Sequence, residues 1–277
     1  MENAFLALFL SLLAGLSTTI GSFIAFFMKK PKPRFISFIM GFSAGVMILI
    51  SFVELLQKSI ASIGFIFGLT FFFVGMLIMF LIDILISHQY EFEESIEMLT
   101  KENGSCEPHL HYGHRHKQRH RYNRDKNNVN LAKTSIFIVF GIFIHNFPEG
   151  MVTFVGTLKE VELGLMLALA IALHNVPEGI AVAVPIYVCT GSKKKAFKWS
   201  FISGMSEPLG ALVTWIILFP FLSDELLSVL LGVVAGVMVY ISLDELLPVS
   251  RSLGKEHISI LGIITGMIVM TISLTLF

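Results

Sequence analysis

The sequence predicts an all-α polytopic membrane protein of eight transmembrane helices. Three observations point there. Hydrophobic residues fill 55% of the 277 positions and charged residues only 14%, too oily a balance for a soluble domain. The apolar residues gather in blocks of about 20, the length a helix needs to cross roughly 30 Å of hydrocarbon. The basic residues, finally, alternate between rich and poor connections along the chain.

The spans are expected at 4–28, 35–56, 63–87, 134–156, 163–188, 199–220, 226–247 and 258–277. The first holds no charged residue, is too long for a signal-peptide core and lacks a basic leader, so it reads as a retained span. The connections alternate in charge. The first (Lys29, Lys30, Lys32, Arg34), third (88–133), fifth (Lys193, Lys194, Lys195, Lys198) and seventh (Arg251, Lys255) carry 18 of the 20 Lys and Arg residues. The even connections carry only Lys58 and Lys159. Basic loops stay on the cytoplasmic side. The odd connections are therefore expected inside and both termini outside.

The chain reads as a single transmembrane domain, 1–277, and the connection 88–133 differs from the rest of it. It opens acidic (Glu91, Glu93, Glu94, Glu97) and continues as "EPHLHYGHRHKQRHRYNRDKNN", with five histidines between His109 and His120. So few aliphatic residues cannot bury a core, and a largely disordered cytoplasmic loop is expected. A His-rich tract can bind transition metals, although a solvated basic loop accounts for the composition as well. Cys106 and Cys189 lie in different connections and imply neither a disulfide framework nor a CxxC metal site.

Two internal repeats stand out. "GFSAGVMILISFVELLQKS" at 41–59 aligns without gaps to "GVVAGVMVYISLDELLPVS" at 232–250, with 11 of 19 positions identical, including Met47/Met238, Ser51/Ser242 and Glu54/Glu245. "HNFPEG" at 145–150 returns as "HNVPEG" at 174–179. The first pair lies on spans two and seven, the second on spans four and five, and each pair runs in opposite directions. Both fit an inverted repeat, spans 1–3 against 6–8 around spans 4 and 5, of the kind that recurs in secondary transporters. Small-residue patterns recur in any packed membrane helix and explain the glycines, but not glutamates in register. The inversion puts Glu54 near the outer mouth and Glu245 near the inner one.

The doubled motif carries the chemistry. Residues i and i+4 share a helix face, so His145 aligns with Glu149 and His174 with Glu178. Asn146 and Asn175 point about 100° round from their histidines. Pro148 and Pro177 have no N–H for the carbonyls of Ile144 and Leu173, which loosens each helix beside its ligands. Span six adds Glu207 in "SGMSEPLG". Acids and histidines inside a membrane are costly and by default mark a pathway or site. Interhelical hydrogen bonding explains a single such motif as well as metal ligation does. Two copies with glutamates, plus Glu207, favour ligands. Imidazole and carboxylate suit Zn²⁺, while Fe²⁺, Mn²⁺ and Cd²⁺ accept the same donors. Three carboxylates in one dry site repel one another, so the empty site is expected to hold protons that metal displaces.

"HNFPEG" on span four, "HNVPEG" on span five, "SEP" on span six, eight spans and a His-bearing third connection together resemble the ZIP family of divalent-metal transporters. The nearer likeness is to its ZupT/GufA-type branch, in which both spans carry the HNxPEG form. The resemblance covers nearly the whole chain apart from 88–133. It implies import of Zn²⁺, often with Fe²⁺ or Mn²⁺, toward the cytoplasm, and a two-metal centre between spans four and five. By motif the first metal would meet His145, Glu149, His174 and Glu178. The second would meet Asn146, Asn175 and Glu207, with Glu149 or Glu178 bridging, and Met47 matches a position that can add a soft ligand. Some relatives carry an acid where Asn175 stands, and the amide weakens the second site. The resemblance also implies a sliding motion of spans one, four, five and six.

The chain is accordingly expected to be a carrier and not an enzyme, with no catalytic cofactor. An intramembrane hydrolase would need a general base beside open zinc, and the HExxH pattern is absent. A metal-selective channel and a non-transporting sensor built on the His-rich loop remain alternatives. The expected partners are divalent metal ions and the lipid bilayer, with no nucleic acid, and a homodimer is one assembly open to it. Lysine- and isoleucine-rich composition suggests an AT-rich genome and a bacterial cytoplasmic membrane.

Overall fold

A chain this apolar must satisfy its backbone within each segment, and helices do so. The computed structural model describes residues 2–27, 32–86, 146–218, 221, 223–252 and 256–275, and among them all regular structure is helical. Seven of the helices are long and apolar enough to cross a membrane. The expectations for His145, the loop 88–133 with its histidines, and Cys106 lie outside the described residues.

Helix α1 is Glu2–Phe27. Helix α2 opens at Pro33 and runs as an α-helix to Ile50, a π turn over Ser51–Leu55 and a further α-helix over Leu56–Ile63. Proline suits that first position because its N–H would have no helical partner anyway. The span was expected to stop at 56; instead Gln57, Lys58 and Ser59 extend it amphipathically until Gly64, whose φ of 87° no side-chain-bearing residue adopts easily. Helix α3 is Phe65–Ile86, and α4 is described over 146–159.

Helix α5, Val161–Thr190, runs 30 residues as one unbroken α-helix. Helix α6 comprises Lys193–Gly204, a break at Met205, Ser206–Val213 and a π turn Thr214–Leu218. The four lysines expected in a connection fall inside it, Lys193, Lys194 and Lys195 in its first turn and Lys198 in the next, because the Ser192 hydroxyl accepts from the Lys195 amide at 3.3 Å and caps the helix ahead of them. Helix α7 runs from Asp224 to Ile241, through a π turn Ser242–Leu246, to Leu247–Ser252. Its N-terminus has a serine cap from Ser223 and acidic Asp224 and Glu225, which complement the helix dipole. Helix α8 is Glu256–Thr275.

Glycines set which helices touch. A methyl group on Gly45 would lie 2.2 Å from the Ile263 carbonyl oxygen, and one on Gly266 2.2 Å from that of Phe42, so α2 and α8 meet backbone to backbone. Gly236 against Phe72 and Gly75 against Val233 bring α7 and α3 together, each at 1.9 Å. The shift that lays 41–59 on 232–250 carries Gly45 onto Gly236 and Phe42 onto Val233. The same shift carries Phe72 onto Ile263 and Gly75 onto Gly266. The π turns recur too: Ser51 Oγ donates to the Met47 carbonyl and Ser242 Oγ to the Met238 carbonyl, both at 2.7 Å. A serine that bonds back to its own helix in this way widens the turn.

Close approaches of the same kind join α1 to α5 (Gly21 on Val176, Gly179 on Thr18) and α4 to α6 (Gly150 on Glu207, Gly210 on Phe147). Helix α5 packs on α1 on one side and on α2 on the other, which makes it the most enclosed of the long apolar helices.

Candidate metal centre

Glu149 of α4 converges with His174 and Glu178 of α5, and Asn175 of α5 meets Glu207 of α6 and the α1 backbone at Ala14. Pro148 and Pro177 lie within helices that continue past them, and each motif's glycine lets a neighbour's backbone close in. Glu149 on α4 and His174, Asn175 and Glu178 on α5 are at most 3% exposed, and Asn146 and Glu207 are fully buried. Glu207 stands just past the break at Met205, in the first turn of Ser206–Val213, where the helix N-terminus favours an anion.

His174 Nε2 lies 3.0 Å from Glu149 Oε1. Glu149, His174 and Glu178 each offer a ligand atom, and these atoms all lie within 4.8 Å of one another. One histidine and one glutamate come from α5, and the second glutamate comes from the antiparallel α4. This is a nitrogen and two oxygens in a dry enclosure, a donor set that suits Zn²⁺. His145, the fourth expected member, lies outside the described residues.

Of the second expected set, Asn175 and Glu207 are in direct contact. Asn175 spends both amide hydrogens, one on the Ala14 carbonyl at 2.9 Å and one on Glu207 Oε1. Its Oδ1 is buried with no hydrogen-bond partner among the described residues. Asn146 is buried at the start of the described part of α4. Met47 is fully buried on α2, in a hydrophobic cluster that also contains Val152 of α4 and Ile171 of α5.

Three supporting contacts were not anticipated from the sequence. Thr153 Oγ1 donates to the Glu149 carbonyl at 2.9 Å, a bond that threonine four residues on makes routinely and that the spacing could have suggested. Ser43 Oγ of α2 approaches the His174 carbonyl to 3.5 Å. The Ala14 carbonyl holds Asn175 from α1. A bare backbone oxygen in an apolar helix sends no sequence signal, so nothing in the chain foretold this last contact.

Comparison with known proteins places the chain in a family. The ZIP zinc transporter family matches residues 3–274. A protein of Clostridium perfringens named zinc transporter ZupT is 44% identical over 285 residues, covering 100% of this chain and 98% of the relative. Proteins of the same name from Campylobacter jejuni (45% identical, covering 99% of this chain and 97% of the relative) and Oceanobacillus iheyensis (43%, 100% and 99%) match as fully. End to end, then, and with Glu149, His174 and Glu178 of its doubled motif buried together, the chain belongs to the ZIP zinc transporter family.

Proposed function

We propose that the chain imports divalent transition-metal ions, Zn²⁺ foremost, across a bacterial cytoplasmic membrane by alternating access to one buried centre. The observation that carries this is the convergence of Glu149, His174 and Glu178 midway along α5, away from either helix end. A permeant ion there trades its water for protein ligands, and an acid pair compensates its charge. His145 would complete the first metal's ligands. Asn146, Asn175 and Glu207 would hold a second ion, and the partnerless Asn175 Oδ1 supports that role.

The same proposal includes eight crossings with both termini outside and an inverted repeat of α1–α3 on α6–α8. The paired glycine contacts and π turns of α2–α8 and α7–α3 support the repeat. Apolar side chains exposed along α3 and α8, such as Phe67, Leu77, Ile264 and Ile268, are placed for lipid or, in a homodimer, a second copy. Fe²⁺, Mn²⁺ and Cd²⁺ are secondary substrates by ligand type.

Proteoliposomes given Zn²⁺, Fe²⁺, Mn²⁺ and Cd²⁺ in parallel test the proposal. Saturable uptake of Zn²⁺ that is lost in Glu149→Ala is expected. Flux that stays linear with concentration would make the protein a channel, and absence of uptake would remove the transport reading.

A further inference from the structure

The two lysines of the even connections stand apart in the sequence, and the metal centre does not use them. The structure brings both to one end of the molecule. Lys58, in the last part of α2, places Nζ 2.6 Å from Glu160 Oε2 and 3.4 Å from Glu54 Oε1. Glu160 is the single non-helical residue between α4 and α5. Lys159, at the end of α4, donates to Ser228 Oγ in the first turns of α7. Ser228 Oγ also lies 2.7 Å from Ser62 Oγ of α2 and 2.7 Å from the Asp224 carbonyl. A hydroxyl donates once and accepts twice, so Ser228 is saturated by donating to Asp224 and accepting from Lys159 and Ser62.

These contacts cross between two sets of helices. The α4–α5 corner belongs with α1 and α6, the helices whose glycines enclose the metal centre. Lys58, Ser62 and Ser228 belong to α2 and α7, which pack on α8 and α3. Two adjacent corner residues, Lys159 and Glu160, are thus pinned by opposite means. One gives a cation to α7 and the other takes a cation from α2.

We propose that Lys58 and Lys159 form a two-point latch that fastens the α4–α5 corner to the ends of α2 and α7, and that it must open before metal reaches the buried centre from that face. The latch rests on the transport reading and on the outward sidedness assigned to Lys58 and Lys159. Its contacts suit a repeatedly opened fastening. The Lys58 side chain is 27% exposed and that of Glu160 56%, and an exposed ion pair shifts an equilibrium by about fivefold at most. A fully buried pair would hold the corner shut.

Two measurements on the full-length protein test it. In the first, Lys58→Cys and Glu160→Cys are combined with Cys106→Ser and Cys189→Ser and joined by a short, reducible bifunctional thiol reagent. Zn²⁺ uptake by proteoliposomes is expected to fall at least about tenfold relative to the uncrosslinked protein and to return on reduction. Uptake that continues unchanged when crosslinking is complete overturns the latch. In the second, hydrogen exchange of the amides in 156–164 is compared between the parent and Lys58→Ala/Lys159→Ala. Exchange there is expected to rise about threefold or more while α8 is unchanged, in keeping with the loss of one exposed ion pair and one part-buried hydrogen bond. No rise overturns the proposal. If even the uncrosslinked vesicles take up no Zn²⁺, the transport reading has failed, and the exchange comparison still decides whether the latch exists.

Discussion

His174 Nε2 on α5 and Glu149 Oε1 on α4 lie 3.0 Å apart, and both side chains are essentially removed from solvent. They stand 25 residues apart and come from helices that run in opposite directions. Their meeting turns two separate motifs into one centre, and Glu178 completes the group.

Removing a donor from that group should be felt directly. Outer partners of metal ligands cost about 10- to 100-fold in affinity when mutated, and a ligand itself should cost at least as much. Glu149→Ala is therefore expected to weaken Zn²⁺ binding in detergent by about 100-fold and to abolish uptake. Titration calorimetry on protein shown to be folded by its melting transition checks this; unchanged affinity would remove Glu149 from the centre.

The His174–Glu149 contact shares one proton between nitrogen and oxygen; a metal ion that takes Nε2 sends it to Nδ1 or to solvent, and any protons that the crowded acids of the empty centre hold leave with metal binding. At least about one proton per Zn²⁺ is expected to appear in weakly buffered detergent solution at neutral pH. Zero release, read with an indicator dye, would mean that the centre stands fully ionised when empty.

Asn175 separates two effects. Asn175→Ala withdraws one donor from the Ala14 carbonyl, which keeps the Ser17 hydroxyl, and one from Glu207, at a cost of about 1–3 kcal/mol in all. Asn175→Asp places a second acid against Glu207 instead. It should lower the melting temperature of the metal-free protein yet enlarge the rise produced by Zn²⁺. An equal Zn²⁺ response in Asn175→Asp and the parent would argue against a second ion beside Asn175.

Gly150 tests the closeness of α4 and α6. A methyl group there would come 1.8 Å from the Glu207 carbonyl oxygen, which is backbone and cannot swing aside. Gly150→Ala is expected to destabilise by about 1–3 kcal/mol, as overpacking does, and to move Glu207 away from Asn175. Normal melting and normal uptake in this variant would show that the two helices separate readily.

Acid should loosen the latch. The Lys58 ammonium, by hydrogen bond and charge, holds the Glu160 carboxyl below its ordinary value of 4.5. A depressed carboxyl pKa stabilises the folded state above the unfolded value, and that stabilisation fades as pH falls through the folded value. Glu54, Lys159 and Asp224 also face this cluster. The difference in melting temperature between the parent and Lys58→Met should be steady near neutral pH and shrink below about 4. A difference that grows on acidification would reverse the assignment.

Much of this was legible before any coordinates. The helical class follows from uninterrupted apolar runs, and the i, i+4 spacing of His174 and Glu178 puts them on one face wherever the helix lies. The ends of the spans were less legible. Hydropathy stops at the last apolar residue, whereas α2 continues through Lys58 to Gly64 and α6 takes in four lysines behind the Ser192 cap. Backbone hydrogen bonds and caps end helices, and neither registers as oiliness.

The sequence by itself determined that there would be helices, where their polar faces lay, and which residue types could hold a divalent ion. These depend on periodicity and side-chain chemistry within a few turns. Only the tertiary structure decided that Glu149 meets His174, that Asn175 binds Glu207 and the backbone of Ala14, and that Lys58 reaches Glu160. Such meetings depend on how far each helix is rotated and how closely its backbone approaches the next. Those quantities are set jointly by glycines scattered over the whole chain, so no local stretch of residues encodes them.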